Sequence, residues 1–99
     1  MKLSYVISNE IYAPRVMEIL KKLNIDYFTQ WEEVKGKGHG TEPHLGTRSF
    51  PNINSVLMIA FDDETALNKL ADEIVRANAE ILKPDDQIRM FQVPLERIV

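Results

Sequence analysis

Hydrophobic and polar residues follow two different periods along this chain, and together these periods predict the secondary structure. Alternation of apolar and polar side chains predicts a strand from Lys2 to Ser8, buried mainly on the face of Leu3, Tyr5 and Ile7. Apolar residues spaced three and four positions apart predict one helix from Pro14 to Leu23. The same spacing predicts a second helix that begins at the carboxylates of residues 62–64 and ends near Asn78.

The remaining apolar segments predict three more strands. The segment from Tyr27 to Lys35 alternates between two sets of side chains, as a strand does. It also carries the adjacent charges Glu32 and Glu33, which predicts a partly solvated edge strand. Ser55 to Phe61 is apolar on both faces, which predicts a central strand covered on both sides. The last strand covers residues 88–93 and stops at Pro94 because proline cannot donate a ladder hydrogen bond.

The order of these elements is β-α-β-loop-β-α-β, which predicts an α+β, ferredoxin-like fold. Such a fold has a four-stranded antiparallel sheet, with the first and third strands central and both helices on one face. The helices cannot cover the second face, although the strand from Ser55 to Phe61 is apolar there too. We therefore expect a homo-oligomer that buries this second face between copies of the chain.

Size and composition narrow the class of protein. The chain has 99 residues, 44% of them apolar, which predicts a single domain over residues 1–99. A net charge of −3 argues against nucleic acid as a partner. The absence of cysteine excludes disulfides and thiolate catalysis. No segment has the pattern of a signal peptide or a membrane-spanning helix, so we expect a cytoplasmic protein with no direct membrane insertion.

One loop, residues 35–52, is much longer than the other connections of the chain. It holds all 4 glycines and both histidines, and its three cations, Lys35, Lys37 and Arg48, outnumber its one carboxylate, Glu42. Loops longer than about 12–15 residues are uncommon in small domains and are usually functional or disordered. We therefore expect the function of the protein to depend on this loop.

The opening of the loop resembles a known family. The run Glu33-Val34-Lys35-Gly36-Lys37-Gly38, followed by His39-Gly40-Thr41-Glu42, is similar to the T-loop of the PII signal-transduction proteins, which reads V-K-G-x-G and then G-H-T-E-x-Y-R-G. The resemblance implies a homotrimeric regulator with no enzymatic activity. It also implies that small effectors, including adenine nucleotides or other anions, bind in clefts between subunits, while the loop contacts a transporter, enzyme or regulator.

The sequence also departs from the family pattern. The loop is shorter, and His44 stands where some members carry a tyrosine that becomes uridylylated, so that modification is excluded here. The glycine-rich phosphate loop of the family, G-D-G-K, is replaced by residues 84–87, Pro-Asp-Asp-Gln. Two carboxylates without a glycine would repel a phosphate chain and prevent close backbone approach. We therefore expect a divergent member whose ligand differs from ATP bound in the family's manner.

The candidate site residues follow from the glycine and cation content together with this resemblance. Successive backbone N–H groups beside cationic side chains can bind an anion. The residues expected to bind the effector are Lys35, Gly36, Lys37, Gly38, His39, Gly40 and Arg48. Those expected to contact a partner protein are Glu42, Pro43, His44, Leu45 and Phe50.

Two alternatives remain open at this level. His39, Glu42 and His44 are three possible metal ligands within six positions, of types that suit zinc or copper, although their spacing matches no standard motif. The protein would then be a metal-responsive binding module.

A small enzyme could instead use Thr41, Thr47 or Ser49 with a loop histidine, but no spacing signature supports such a site.

Overall fold

A computed structural model describes residues 1–99 and has the predicted order of elements. The four strands form one antiparallel sheet in the order β2-β3-β1-β4, so β1 and β3 are central and β2 lies at an edge, as predicted. The elements are β1 (Lys2–Asn9), α1 (Ala13–Lys22), β2 (Thr29–Val34), β3 (Asn54–Phe61), α2 (Glu64–Ala79) and β4 (Arg89–Pro94). None of the helices is long and apolar enough to cross a membrane.

The predicted element boundaries are correct within one or two residues, and local interactions explain where the helices begin. Asp63 caps α2 because its carboxylate accepts a hydrogen bond from the Thr65 backbone N–H at 2.8 Å. In α1, Pro14 lies in the first turn, where its missing N–H has no intrahelical partner to lose. The strand β2 begins two residues later than predicted, at Thr29, since residues 25–28 have no regular structure.

Both helices contribute to one hydrophobic core on one face of the sheet. From α1 this core receives Val16, Ile19 and Leu20, and α2 adds four buried residues between Leu67 and Ala77. The sheet contributes buried side chains from three strands or their ends, namely Val6, Leu57, Ile59, Phe61 and Ile88.

One sequence prediction about β1 is wrong for the isolated chain. The buried face of β1 consists of Ser4, Val6 and Ser8, whereas the side chains of residues 3, 5 and 7 are only partly buried. Small serine side chains therefore occupy two of the three positions on this buried face. The larger apolar residues of β1 point to the opposite face, which no helix covers.

This second face of the sheet, which we call the open face, is strongly apolar. The register aligns Tyr5 of β1 with Met58 of β3 and Phe91 of β4, and it aligns Trp31 of β2 with Val56. Trp31 is 46% exposed and Phe91 is 51% exposed. Together the four strands present a continuous apolar surface of the kind that usually marks an interaction site.

Candidate functional site

The long loop between β2 and β3 folds into two small lobes. The backbone of Gly36 pairs with that of His44: the Gly36 N–H donates to the His44 carbonyl at 2.8 Å, and the His44 N–H donates to the Gly36 carbonyl at 2.7 Å. This pairing closes the first lobe, residues 37–43. Inside it, the Gly38 N–H donates to the Thr41 hydroxyl oxygen at 2.9 Å.

The second lobe covers residues 46–52 and is closed by its own hydrogen bonds. The Gly46 N–H donates to the Asn52 carbonyl at 3.0 Å, and the Thr47 N–H donates to the Phe50 carbonyl at 2.9 Å. Gly46 has a φ of +63°, a left-handed conformation that favours glycine. Arg48 is exposed at the tip, and Phe50 is half-buried.

A buried polar network fixes the point where the two lobes meet. The His44 side chain is buried, and its Nδ1 lies 2.7 Å from Asn54 Oδ1 at the start of β3. Because an amide oxygen can only accept, the contact is a hydrogen bond in the states of His44 that carry a proton on Nδ1. The other ring nitrogen, Nε2, lies 3.8 Å from Asp86 Oδ1, and the same Asp86 oxygen accepts a hydrogen bond from Asn9 Nδ2 at 3.0 Å.

A cleft with a volume of 530 Å³ lies between the first lobe, one end of the sheet and the 3-10 turn Pro84–Asp86. Three cationic side chains line it, Lys35 and Lys37 from the loop and Arg89 from β4, and none of them forms an ion pair. The one unpaired carboxylate in its wall is Asp85. Its unpaired charges therefore favour an anionic ligand.

One further ion pair connects the first lobe to the other side of the cleft. Glu42 lines the cleft, and its Oε2 lies 3.0 Å from Lys83 Nζ, next to the turn that supplies Asp85. The hydrogen bond to Glu42, reinforced by its negative charge, raises the pKa of Lys83 above the ordinary value. The pair is partly exposed, since 57% of the Lys83 side chain and 39% of the Glu42 side chain reach solvent.

The structure brings together most of the residues predicted to bind an effector. Lys35, Gly36, Lys37, Gly38 and His39 all line the cleft, whereas Gly40 and Arg48 lie outside its lining.

Of the residues predicted to contact a partner protein, two already have contacts within the chain. Glu42 pairs with Lys83, and His44 is buried against Asn54. The other three, Pro43, Leu45 and Phe50, are half-buried.

The predicted metal ligands do not form a cluster. No three His, Asp or Glu side chains of the chain are placed so that they could hold a metal ion together. His44 directs its ring nitrogens at Asn54 and Asp86, Glu42 pairs with Lys83, and His39 is exposed. The geometry therefore gives the metal-binding hypothesis no support within one chain.

Sequence reasoning missed Arg89 and the apolar wall of the cleft. Arg89 begins β4 and pairs with Ile7 near the end of β1, which places it beside the loop. Ile7, Val56 and Phe91 belong to the open face and also line the cleft. The antiparallel order alone would have pointed to Arg89, because the end of β1 and the start of β4 must meet there.

Comparisons with known proteins identify the fold. No family model and no curated protein sequence matches this chain. Among solved structures it is similar to CPII, a nitrogen regulatory PII-like protein from Thiomonas intermedia K12, bound to ADP, AMP and bicarbonate. The TM-score is 0.65, and the sequence identity is 14% over 97% of this chain and 88% of that chain. A second structure of CPII, bound to ADP and bicarbonate, gives a TM-score of 0.67 and 12% identity with the same coverage. The chain therefore has the fold of these PII-like structures, as the resemblance implied.

Proposed function

We propose that this protein is a divergent PII-like regulator: an anionic effector binds in the cleft, and the long loop transmits its presence to a partner protein. The observation that supports this proposal best is the placement of Lys35, Lys37 and Arg89, three unpaired cations, in one cleft at the base of the loop. In addition, both similar CPII structures contain ADP and bicarbonate, and one of them also contains AMP. Thr41 and both histidines line the cleft, but none of the hydrogen bonds of the chain joins a histidine to a hydroxyl group, so we propose binding rather than catalysis.

The chemistry of the cleft favours small anions over long phosphate chains. Asp85 lines the cleft and has no ion-pair partner, so its carboxylate would repel a second or third phosphate group. The three cations still leave an excess of positive charge. We therefore propose an effector such as bicarbonate or a nucleotide with few phosphates, bound more tightly than ATP.

The position of the cleft supports a site shared between subunits. Ile7, Val56 and Phe91 contribute both to the cleft wall and to the open face, so the cleft lies at the rim of that face. A second copy packed on the open face would approach the cleft and could complete it. We propose a homotrimer, the assembly that the PII resemblance implies, with effector sites at the subunit boundaries.

The second lobe is the part of the loop best suited to contact a partner. It presents Arg48 at an exposed tip, two positions before the half-buried Phe50. Arginine and aromatic residues are enriched where protein surfaces bind each other. We propose that the partner is a transporter, enzyme or regulator recognised through this lobe.

A binding experiment on the wild type and one double variant tests the proposed effector site. Thermal unfolding would be followed with ADP, AMP, ATP, sodium bicarbonate and sodium chloride at equal ionic strength, with Lys35→Ala/Lys37→Ala as the variant. A ligand present at a hundred times its dissociation constant stabilises the protein by about 2.7 kcal/mol. We expect this stabilisation from bicarbonate, AMP or ADP in the wild type only. Equal responses in both proteins, or none, would contradict the proposed site.

A further inference from the structure

The buried side chain of His44 faces an oxygen atom with each of its two ring nitrogens. Nδ1 lies 2.7 Å from Asn54 Oδ1, and Nε2 lies 3.8 Å from Asp86 Oδ1. A neutral imidazole carries one ring proton and donates one hydrogen bond, whereas an imidazolium carries two protons and donates two. With the Asn54 oxygen facing the ring, only the charged form therefore offers a donor to both oxygens.

Asp86 has no other cationic group in contact with it. Its side chain is only 13% exposed, and its Oδ1 accepts one uncharged hydrogen bond, from Asn9 Nδ2 at 3.0 Å. No lysine or arginine nitrogen lies within 4.0 Å of this carboxylate. A charge removed from water is costly unless an opposite charge or several hydrogen bonds compensate for it. The position of Asp86 therefore favours a positive charge on His44.

The other charged groups around His44 act in both directions. Besides His44, the titratable or charged residues that line the cleft are Lys35, Lys37, His39, Glu42, Asp85 and Arg89. The strands β1 and β3 present only the uncharged amides of Asn9 and Asn54 to this network. Burial of the ring and the three cations oppose its protonation. The cations are exposed, however, so water and salt screen them, whereas Asp86 is nearly buried beside the ring.

We propose that His44 is a pH-sensitive fastening of the long loop: as an imidazolium it donates to Asn54 and pairs with Asp86, and loss of one proton weakens its hold on the turn Pro84–Asp86. This inference goes beyond the proposed function, because it requires neither an effector nor a partner protein. Histidine is the side chain that ordinarily changes its charge between about pH 5 and 8, so the hold changes within that range.

The sign of the pH dependence follows from the charges of the pair. At about pH 5.5 carboxylates are ionised and the ring carries its second proton, so the pair is present; at about pH 8.5 the ring is neutral and the attraction is lost. The backbone hydrogen bonds between Gly36 and His44 do not depend on this proton. The loop therefore loosens at high pH without unfolding, and the second lobe, closed by its own hydrogen bonds, stays as it is.

A double-mutant cycle at two pH values measures the pair. Urea unfolding would be followed for the wild type, His44→Gln, Asp86→Asn and the double variant, at equal ionic strength. We expect a coupling of about five- to tenfold in the unfolding equilibrium constant at pH 5.5, and of less than about twofold at pH 8.5. His39→Gln is the matched control, because it removes the other, exposed histidine of the loop. Its coupling to Asp86→Asn should stay below about twofold at both pH values.

Nitrogen-15 NMR of the imidazole rings counts the ring protons in the wild type and so depends on no variant. Both ring nitrogens of His44 should carry a proton at pH 5.5, and one of them at pH 8.5. The rival arrangement is a neutral ring that donates from Nε2 to Asp86 while the Asn54 amide is turned to donate from Nδ2 to Nδ1. An Nδ1 without a proton at pH 5.5 would identify this rival and overturn the proposal.

Hydrogen exchange shows whether the proton acts on the loop. Protection factors, which correct for the intrinsic effect of pH on exchange, should be higher at pH 5.5 than at pH 8.5 for the amides of Gly36 and His44. In Asp86→Asn this difference should disappear, and the amide of Gly46 in the second lobe should show none in either protein. Equal protection of Gly36 and His44 at both pH values in the wild type would overturn the proposal.

The cycle can also overturn the proposal. A coupling of the same size at both pH values would show a hydrogen bond between His44 and Asp86 that needs no second proton, and an absent coupling at pH 5.5 would show that the two residues do not act as a pair. None of these measurements involves a ligand. Failure of this inference therefore leaves the proposed anion site to be judged by its own binding experiment.

Discussion

His44 and Asn54, ten positions apart in the sequence, form a buried hydrogen bond of 2.7 Å between Nδ1 and Oδ1. This bond joins the middle of the long loop to the first residue of β3, and Asp86 lies on the other side of the same imidazole ring. The loop is therefore attached to the sheet at its midpoint as well as at its ends.

Loss of this contact should destabilise the protein. A buried polar group left without its partner costs about 1–3 kcal/mol, so His44→Ala should lower the free energy of unfolding by that amount in urea denaturation. His39→Ala is the matched control, because His39 is exposed and lies in the same loop. A similar effect of the two substitutions would show that the buried network does not hold the loop.

Two glycines of the loop should respond differently to alanine. At Gly36 an added Cβ would lie 2.6 Å from Asn54 Nδ2, so it would displace the side chain that binds His44. At Gly40 an added Cβ meets nothing within 4 Å, although its φ of +72° is strained for alanine. Gly40→Ala should therefore cost about 1 kcal/mol and Gly36→Ala clearly more. Equal midpoints of urea unfolding for the two variants would contradict the close contact at Gly36.

Whether copies of the chain associate through the open face can be tested by measuring the molar mass of the protein in solution. Met58 lies on that face at the middle of β3, between Thr29 of β2 and Tyr5 of β1. Met58→Lys would place an unpaired charge inside any interface formed there, so we expect a monomer by light scattering, against a trimer for the wild type. Val75→Lys is the control, because Val75 is 69% exposed on α2, away from this face. A wild type that is monomeric at micromolar concentration would contradict the proposed assembly.

Acid should remove one electrostatic contribution to stability. Hydrogen bonding to Lys22, together with the charges of Lys22 and Arg76, lowers the pKa of Glu73 below its ordinary value of 4.5. A pKa that is lower in the folded state stabilises the fold above the ordinary pKa, and this stabilisation disappears as the pH falls through the folded-state pKa. The wild type should therefore be more stable than Glu73→Gln in urea at pH 7. The difference should shrink below about pH 4.5. A difference that is independent of pH would contradict this explanation.

The fold could be predicted because its determinants are local in sequence. Alternation along β1, the two-sided apolar pattern of β3 and the Asp63 cap of α2 each act over a few residues. The prediction of which face of β1 meets the helices was wrong, because an apolar surface that no helix covers resembles a core in the sequence.

The candidate site was predictable only in part. The cations and glycines at the start of the loop were visible as a composition bias, and the PII resemblance gave them a role. The attachment of His44 was not visible, since it depends on Asn54 and Asp86, which come from separate segments. Arg89 was missed because its relevance comes from strand register rather than from any neighbour in the chain.

Because the loop is divided into two lobes, the length and sequence of one lobe can change without affecting the other. Residues 37–39 of the first lobe line the cleft, whereas none of residues 46–52 does so. Because the second lobe is closed by its own hydrogen bonds, extra residues inserted between Arg48 and Ser49 would lengthen only that lobe. Relatives of this protein could thus change the segment that meets a partner while the cleft stays the same, and a peptide epitope grafted there should leave ligand binding intact.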